Sequence, residues 1–349
     1  MKKLSSFGKN YILVFLITCV LLYFLLKDNF TETMHYLASV NIPLFLIALL
    51  DFLISMGFDS YSYYLIVRNY EKSYNAKKAF RLNTFTKFFN GITPLASGGQ
   101  PFQVYLLHKE KVKLSDAVSI ITQIYILFVL SVVLYGIMGF IYSIATKLIV
   151  LDGIITPMVI FGITIYICIL TVTLLLIFSN SFMKKISSWV IAILSELHII
   201  KNKEVSIEKW NKSCDNYYES GKKFRKSPKT FFKCLGLQFM KLFAIYSVPY
   251  FVALALHSKI NLNIFETTVA SSYAFLGGCY IPIPGSSGGT EFAFGQIFGQ
   301  FVDAGIVSPL IILWRFITYI LPIVLGGIWF NIYLKKQNEA KEKEKEEKK

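Results

Sequence analysis

Six apolar stretches, at 11–26, 42–67, 116–144, 155–178, 231–256 and 305–334, run too long and too continuously to form the core of a water-soluble domain. A helix needs about 20 apolar residues to cross a hydrocarbon layer about 30 Å thick, and these stretches are near or above that length. In lipid every backbone polar group must be satisfied internally, which leaves helices or closed barrels, and runs of this length are helical. With 54% hydrophobic and 16% charged residues, the chain reads as an all-α polytopic membrane protein with about six full spans. The first stretch follows Lys2, Lys3 and Lys9 but is succeeded by Leu26, Lys27, Asp28 and Asn29 rather than by a small-residue cleavage site. It therefore reads as an uncleaved anchor and not as a signal peptide.

Two ten-residue segments, 93–102 (TPLASGGQPF) and 283–292 (IPGSSGGTEF), align without a gap and share a proline, a serine, a glycine pair and a phenylalanine. Both interrupt apolar regions. Broken backbone at membrane depth survives only where it is buried in protein or lines a wet cavity. A matched pair of Gly/Pro-broken segments in corresponding halves of a chain points to a transporter's binding site.

The net charge of +15 would suit a nucleic-acid partner, yet its distribution argues otherwise. Thirty of the 36 Lys and Arg fall in segments 1–10, 68–87, 109–113, 179–230 and 335–349, while the intervening loops hold only Lys27, Lys147 and Lys259. This is the positive-inside pattern, so both termini are expected in the cytoplasm and no nucleic-acid partner is expected. It also implies attraction to anionic inner-leaflet lipid. The segment 79–108 is then cytoplasmic at both ends and must turn back within the membrane, and 264–301 must do the same from outside. The expected fold adds two oppositely oriented re-entrant helical hairpins to the spans, as an inverted repeat of 42–144 and 231–334 within a single transmembrane domain, 1–334. The segment 179–230 intersperses lysines with Ile186, Trp189, Ile193 and Leu197 and reads as amphipathic helices on the cytoplasmic headgroups. The tail 335–349 is charged and reads as a solvated helix or disorder.

A charge at mid-bilayer costs about 2.5–3.5 kcal/mol on insertion scales, so each such residue needs a partner, a wet cavity or a task. Asp51, Ser55, Asp59 and Tyr63 recur every four residues and share one helical face, which is expected to point inward. Arg315 and Lys241 lie about ten residues into their spans, roughly 15 Å deep at the helical rise. Glu291 opens the returning helix of the second hairpin. Arg315 has Glu291 or Asp59 as its candidate partner; Lys241 either snorkels or pairs. In the loops, Gly98, Gly99, Gly285, Gly288 and Gly289 permit positive φ or close approach, and Pro94 and Pro284 are expected to end the entering helices. The helix N-termini that follow offer amides to an anion such as phosphate, with Ser97, Ser287, Gln100 and Thr290 adding neutral hydrogen-bonding groups. Gln123 and Gln238 read as helix–helix contacts.

The five cysteines form no CxxC, so neither a disulfide framework nor structural zinc is expected. No P-loop, HExxH, GxSxG or metal-spaced His/Cys set occurs, and His35, His108, His198 and His257 are scattered. No cofactor and no catalysis by this chain are expected.

NGITPLASGGQPFQVYLL (90–107), PIPGSSGGTE (282–291) and RFITYILP (315–322), in that order and with these spacings, resemble the signatures of the lysylphosphatidylglycerol synthase transmembrane-region family over most of the chain up to about residue 334. The resemblance implies a lipid flippase-like module in a bacterial cell membrane. In the full-length synthases such a module moves aminoacylated phosphatidylglycerol outward, and a separate cytoplasmic domain takes lysine from lysyl-tRNA. Only about fifteen residues follow Leu334 here, against the roughly 100–200 of an ordinary domain, so that transferase domain is expected to be missing.

Three functions compete at this point. The first is a lipid translocase, with Arg315 and Lys241 facing a phosphate while Asp51, Asp59 and Glu291 face an amino headgroup or carry coupling protons. The second is an ion- or proton-coupled small-solute carrier; the third is a membrane enzyme. The first is preferred. Its implied partners are a membrane phospholipid or lipid-linked substrate, with a separate lipid-modifying synthase and a second copy of the chain as the candidate protein partners.

Overall fold

A computed structural model describes residues 30–148, 153–197 and 202–346, and the expected anchor at 11–26 lies outside them. Among the described residues the chain is all-helical. A short helix α1 (Phe30–Ala38) precedes α2 (Ile42–Arg68), which starts where Asn41 Oδ1 accepts from Leu44 N at 3.2 Å and Pro43 supplies a ready-made first helical φ. Its 27 residues rise about 40 Å, more than the ~30 Å of a hydrocarbon core.

Next come α3 (Ala76–Gly91), a 3₁₀ turn at Pro94–Ala96, and α4 (Gly99–Lys109), which folds back along α3. Two long apolar helices follow, α5 (Leu114–Thr146) and α6 (Ile155–Phe178), and then two shorter mixed ones, α7 (Asn180–Glu196) and α8 (Lys203–Arg225). The second half repeats the order: α9 (Pro228–Ala255), α10 (Ile264–Gly278), a 3₁₀ turn at Pro284–Ser286 and α11 (Gly289–Phe298). A capping box between Asn263 and Glu266 sets the start of α10. The last span is α12 (Ala304–Arg315) and α13 (Leu321–Glu346), joined by a π-helical turn at Phe316–Ile320. Five helices, Ile42–Arg68, Leu114–Thr146, Ile155–Phe178, Pro228–Ala255 and Ala304–Gln337, are long and apolar enough to cross a membrane. They coincide with five of the six expected spans.

The strongest packing is between α2 and α9, and it runs antiparallel. Asn41 N donates to Ala255 O, Ser247 Oγ to Asp51 Oδ2 and Gln238 Nε2 to Asp59 Oδ1, and Cys234 lies against Ser62, so positions rise on one helix as they fall on the other. Two apolar cores flank this pair. One gathers Phe85, Phe88, Leu106 and Leu107 of α3 and α4 with Ile323 and Phe330 of α13. The other gathers Tyr273 of α10 and Phe294 and Phe298 of α11 with Phe52 of α2 and Leu310 of α12.

The segment expected to lie along headgroups forms α7 and α8, which pack on each other. They leave Trp189, Val190, Leu197, Val205 and Trp210 exposed beside lysines. Asp215 accepts from Lys184 at 2.7 Å and from Asn180 at 2.7 Å, which tie the two helices and hold its carboxyl below the usual range. Helix α8 is fastened to the spans by polar contacts, with Ser220 Oγ donating to Asp116 at 2.6 Å and Tyr70 Oη donating to Ser220 O at 2.9 Å. Gln123 Nε2 donates to Tyr70 Oη in the turn after α2 and to Ser119 Oγ of its own helix, and not across to a second helix as expected.

Candidate functional site

The two matched segments adopt matched backbones. Pro94 and Pro284 each open the 3₁₀ turn, and the two residues after each proline lie in the left-handed region: Leu95 and Ala96 both at φ 52°, Gly285 at 67° and Ser286 at 50°. Ser97 Oγ donates to Pro94 O at 2.9 Å, and Ser287 Oγ donates to Pro284 O at 2.9 Å. The prolines therefore start the turns; they do not end the entering helices, which stop earlier at Gly91 and Gly278, where the backbone leaves helical geometry. Three non-glycine residues at positive φ are an unfavourable choice for L side chains, a kind of strain that clusters at ligand sites and switches.

The segments diverge at the helix starts. At the first, Gly98 N donates to Thr93 Oγ1 and Gly99 N to Asn90 Oδ1, both at 2.9 Å. At the second, Gly288 at φ 87° donates its N–H to Glu291 Oε2 at 2.7 Å. These amides, expected to await an anion, are capped from within the protein. Thr290 is buried with its hydroxyl donating to Ser286 O, whereas Ser97 and Gln100 are exposed on the first segment.

The two turns pack against each other, and Arg315 of α12 reaches the second of them. Arg315 Nε lies 2.6 Å from Glu291 Oε1, and Arg315 Nη2 donates to Gly285 O at 3.2 Å. Of the two partners expected for Arg315, Glu291 is the one in contact. The guanidinium also lies 5.0 Å from the Trp314 ring and 5.4 Å from that of Tyr319. Arg315 is the last residue before the π turn, and that register change brings Tyr319 across to donate its hydroxyl to Gly91 O at 2.9 Å. π turns recur at functional sites.

A second charged node sits between α2, α9 and α3. Asp59 is 2% exposed; its Oδ1 accepts from Lys241 Nζ at 2.9 Å and from Gln238 Nε2 at 3.2 Å. Lys241 pairs instead of snorkelling, donates also to Gln238 Oε1 at 3.2 Å, and lies 4.7 Å from the Phe128 ring. Lys87 Nζ stands 3.7 Å from Asp59 Oδ2. One helical turn along, Tyr63 accepts from Gln103 Nε2 of α4 at 3.1 Å. The four-residue repeat on α2 does face inward, with Ser55, Asp59 and Tyr63 buried. Asp51 is only part-buried and meets Ser247 two turns away, outside this node.

Structure thus brings together Arg315 with Glu291 and Gly285, and Asp59 with Lys241. It adds Lys87, Gln103, Asn90 and Tyr319, which sequence reasoning did not single out. Lys87 counts among the basic residues of 68–87, yet it lies within α3, one turn before Gly91. Tyr319 lies in RFITYILP, where nothing sets it apart from the other apolar and aromatic residues of the span.

The family described as Lysylphosphatidylglycerol synthase TM region matches residues 11–326 of the 349. The chain belongs to this family. No curated protein matches it significantly. The match spans both helix–turn–helix segments and both charged nodes, and it gives the membrane family a lipid-related setting.

Proposed function

We propose that the chain is a lipid translocase of this family, moving a phospholipid or lipid-linked headgroup, of which aminoacyl-phosphatidylglycerol is one candidate, between leaflets. The observation that carries the reading is the meeting of two conformationally matched helix breaks beside buried charges. At 16, 11, 15 and 10 residues, α3, α4, α10 and α11 each rise about 15–24 Å, short of a ~30 Å hydrocarbon core. That favours two re-entrant hairpins whose tips meet within the membrane.

An inverted repeat is favoured by three relations. Corresponding first spans α2 and α9 are antiparallel, as a two-fold axis in the membrane plane requires. The first hairpin packs on α13 of the other half, and α10 packs on α5 of its own opposite half. The turns share backbone conformation over Pro94–Ala96 and Pro284–Ser286, with the two residues after each proline at positive φ. Binding sites of such transporters lie at the repeat interface near the midplane. On this reading both termini are cytoplasmic, in a bacterial cell membrane, and any aminoacyl transfer belongs to a separate synthase.

The deciding experiment is reconstitution in liposomes with a panel of headgroup- and acyl-labelled lipids, scoring leaflet exchange against protein-free vesicles. Exchange of one or more phospholipids is expected. Absence of exchange for every lipid, together with solute or ion flux, would replace this reading with a coupled carrier. Purified protein given lysyl-tRNA and phosphatidylglycerol is expected to form no lysyl-lipid.

A further inference from the structure

The two charged nodes are not equivalent in their charge balance. Arg315 and Glu291 form a neutral pair, and the guanidinium is further committed to Gly285 O and enclosed by the rings of Trp314 and Tyr319. Its charges balance, and the two side chains are only 10% and 6% exposed. At the other node, one carboxylate, Asp59, faces two ammonium groups. Among the described residues no other acid pairs with Asp59's two lysines, so the node carries an excess of one positive charge. Lys241 is consumed, with Asp59 Oδ1 at 2.9 Å and Gln238 Oε1 at 3.2 Å. Lys87 is held more loosely: its contact with Asp59 Oδ2 is 3.7 Å long, against 2.9 Å for that of Lys241 with Oδ1. Its side chain is 25% exposed, against 14% for Lys241 and 4% for Asp59, so Lys87 is the member of the node that an outside group can reach.

We infer that Lys87, backed by Lys241, is the anion-binding group of this protein and takes a phosphate carried by a ligand, with Asp59 holding the two ammoniums in place as an internal counter-ion. A Lys ammonium is a compact point charge with three donors, suited to a phosphate oxygen. A buried unbalanced charge is costly unless paired, which gives a phosphate monoanion both its place and its stoichiometry. Lys87 lies one turn before Gly91 on α3, and Gly91 O receives the Tyr319 hydroxyl, so the site adjoins the meeting point of the two turns. The choice of a lipid phosphate over free phosphate rests on the translocase reading; the charge argument does not.

The test uses the purified full chain in detergent, with radiolabelled phosphatidylglycerol in mixed micelles and inorganic phosphate as competitor. Lys87→Gln is expected to weaken phosphatidylglycerol binding by about tenfold or more, the loss of a charge-assisted contact, while Lys87→Arg stays within a few-fold of the parent. Asp59→Asn removes the internal anion and is expected to strengthen binding, by about threefold or more. Opposite signs at two residues in one ion cluster are not what a purely structural cluster gives, because there both substitutions would weaken binding in proportion to lost folded protein. Melting and gel filtration of each variant measure that fraction; if Asp59→Asn does not fold, the Gln-against-Arg comparison at Lys87 decides. Undiminished binding by Lys87→Gln, or equal weakening in both substitutions, overturns the inference. Inorganic phosphate that binds and is not displaced by phosphatidylglycerol overturns the lipid source. Lys87-dependent binding without exchange in liposomes would sink translocation and leave the site standing; exchange and binding both undiminished in Lys87→Gln would sink the site and leave translocation standing.

Discussion

Tyr319 touches both helix breaks at once: its hydroxyl donates to Gly91 O at 2.9 Å, and its ring occupies the space where a side chain on Gly285 would project. A Cβ on Gly285 would stand 2.3 Å from the Tyr319 ring, and Gly285 has φ 67° besides. One aromatic side chain on the last span therefore registers the second turn against the end of α3.

Gly285→Ala is expected to cost about 1–3 kcal/mol, from positive φ and overpacking together. Tyr319→Phe keeps the packing and is expected to cost only about 1 kcal/mol, one hydrogen bond. Detergent-solution melting ranks the two. If the tips must stay in register for transport, lipid exchange falls in both variants by more than their melting accounts for. Equal melting of the two variants would remove the special role given to the contact.

The spans were legible because apolar run length is a property of composition, and the inward face of α2 because Asp51, Ser55, Asp59 and Tyr63 repeat at helical spacing. The matched turns were legible as similar strings with similar breaker residues. Lys87 was not, since a charge count along the chain cannot separate a loop cation from one on a short helix that the fold carries to Asp59. Tyr319 was equally hidden: an aromatic in an apolar span looks like any core residue until a π turn changes its direction. Asp51 shows the reverse, sharing the right face but standing two turns too far along to join the node.

The orientation is tested by single cysteines in a cysteine-free background. A cysteine at Lys259 is expected to react with an impermeant thiol reagent on intact cells, and one at Lys209 on α8 only after permeabilisation. Labelling of Lys209→Cys on intact cells would reverse the proposed assignment of sides.

Helices α7 and α8 expose Trp189 and Trp210 beside Lys184, Lys185, Lys209 and Lys212, an arrangement suited to the headgroup boundary of an anionic leaflet. Variants retaining only one of these tryptophans, placed in nanodiscs, are expected to be quenched by lipids brominated near the headgroup more than by lipids brominated at the chain ends. Equal accessibility to aqueous iodide with and without lipid would place the face in water.

The Arg315–Glu291 pair is buried, and removing one partner leaves the other uncompensated, which typically costs about 3–5 kcal/mol. Arg315→Gln and Glu291→Gln are therefore both expected to lower stability. Exchanging the two, Glu291→Arg with Arg315→Glu, would restore the charges but not the remaining contacts. Glu291 Oε2 also accepts the Gly288 N–H at 2.7 Å, and Arg315 Nη2 also donates to Gly285 O at 3.2 Å. An arginine at 291 has no acceptor to offer Gly288, and a glutamate at 315 would aim its oxygens at a carbonyl. The double exchange is thus expected to recover little of the lost melting temperature and none of the exchange activity. Recovery of both would mean that the pair acts through charge alone and that the backbone contacts of the second turn are incidental.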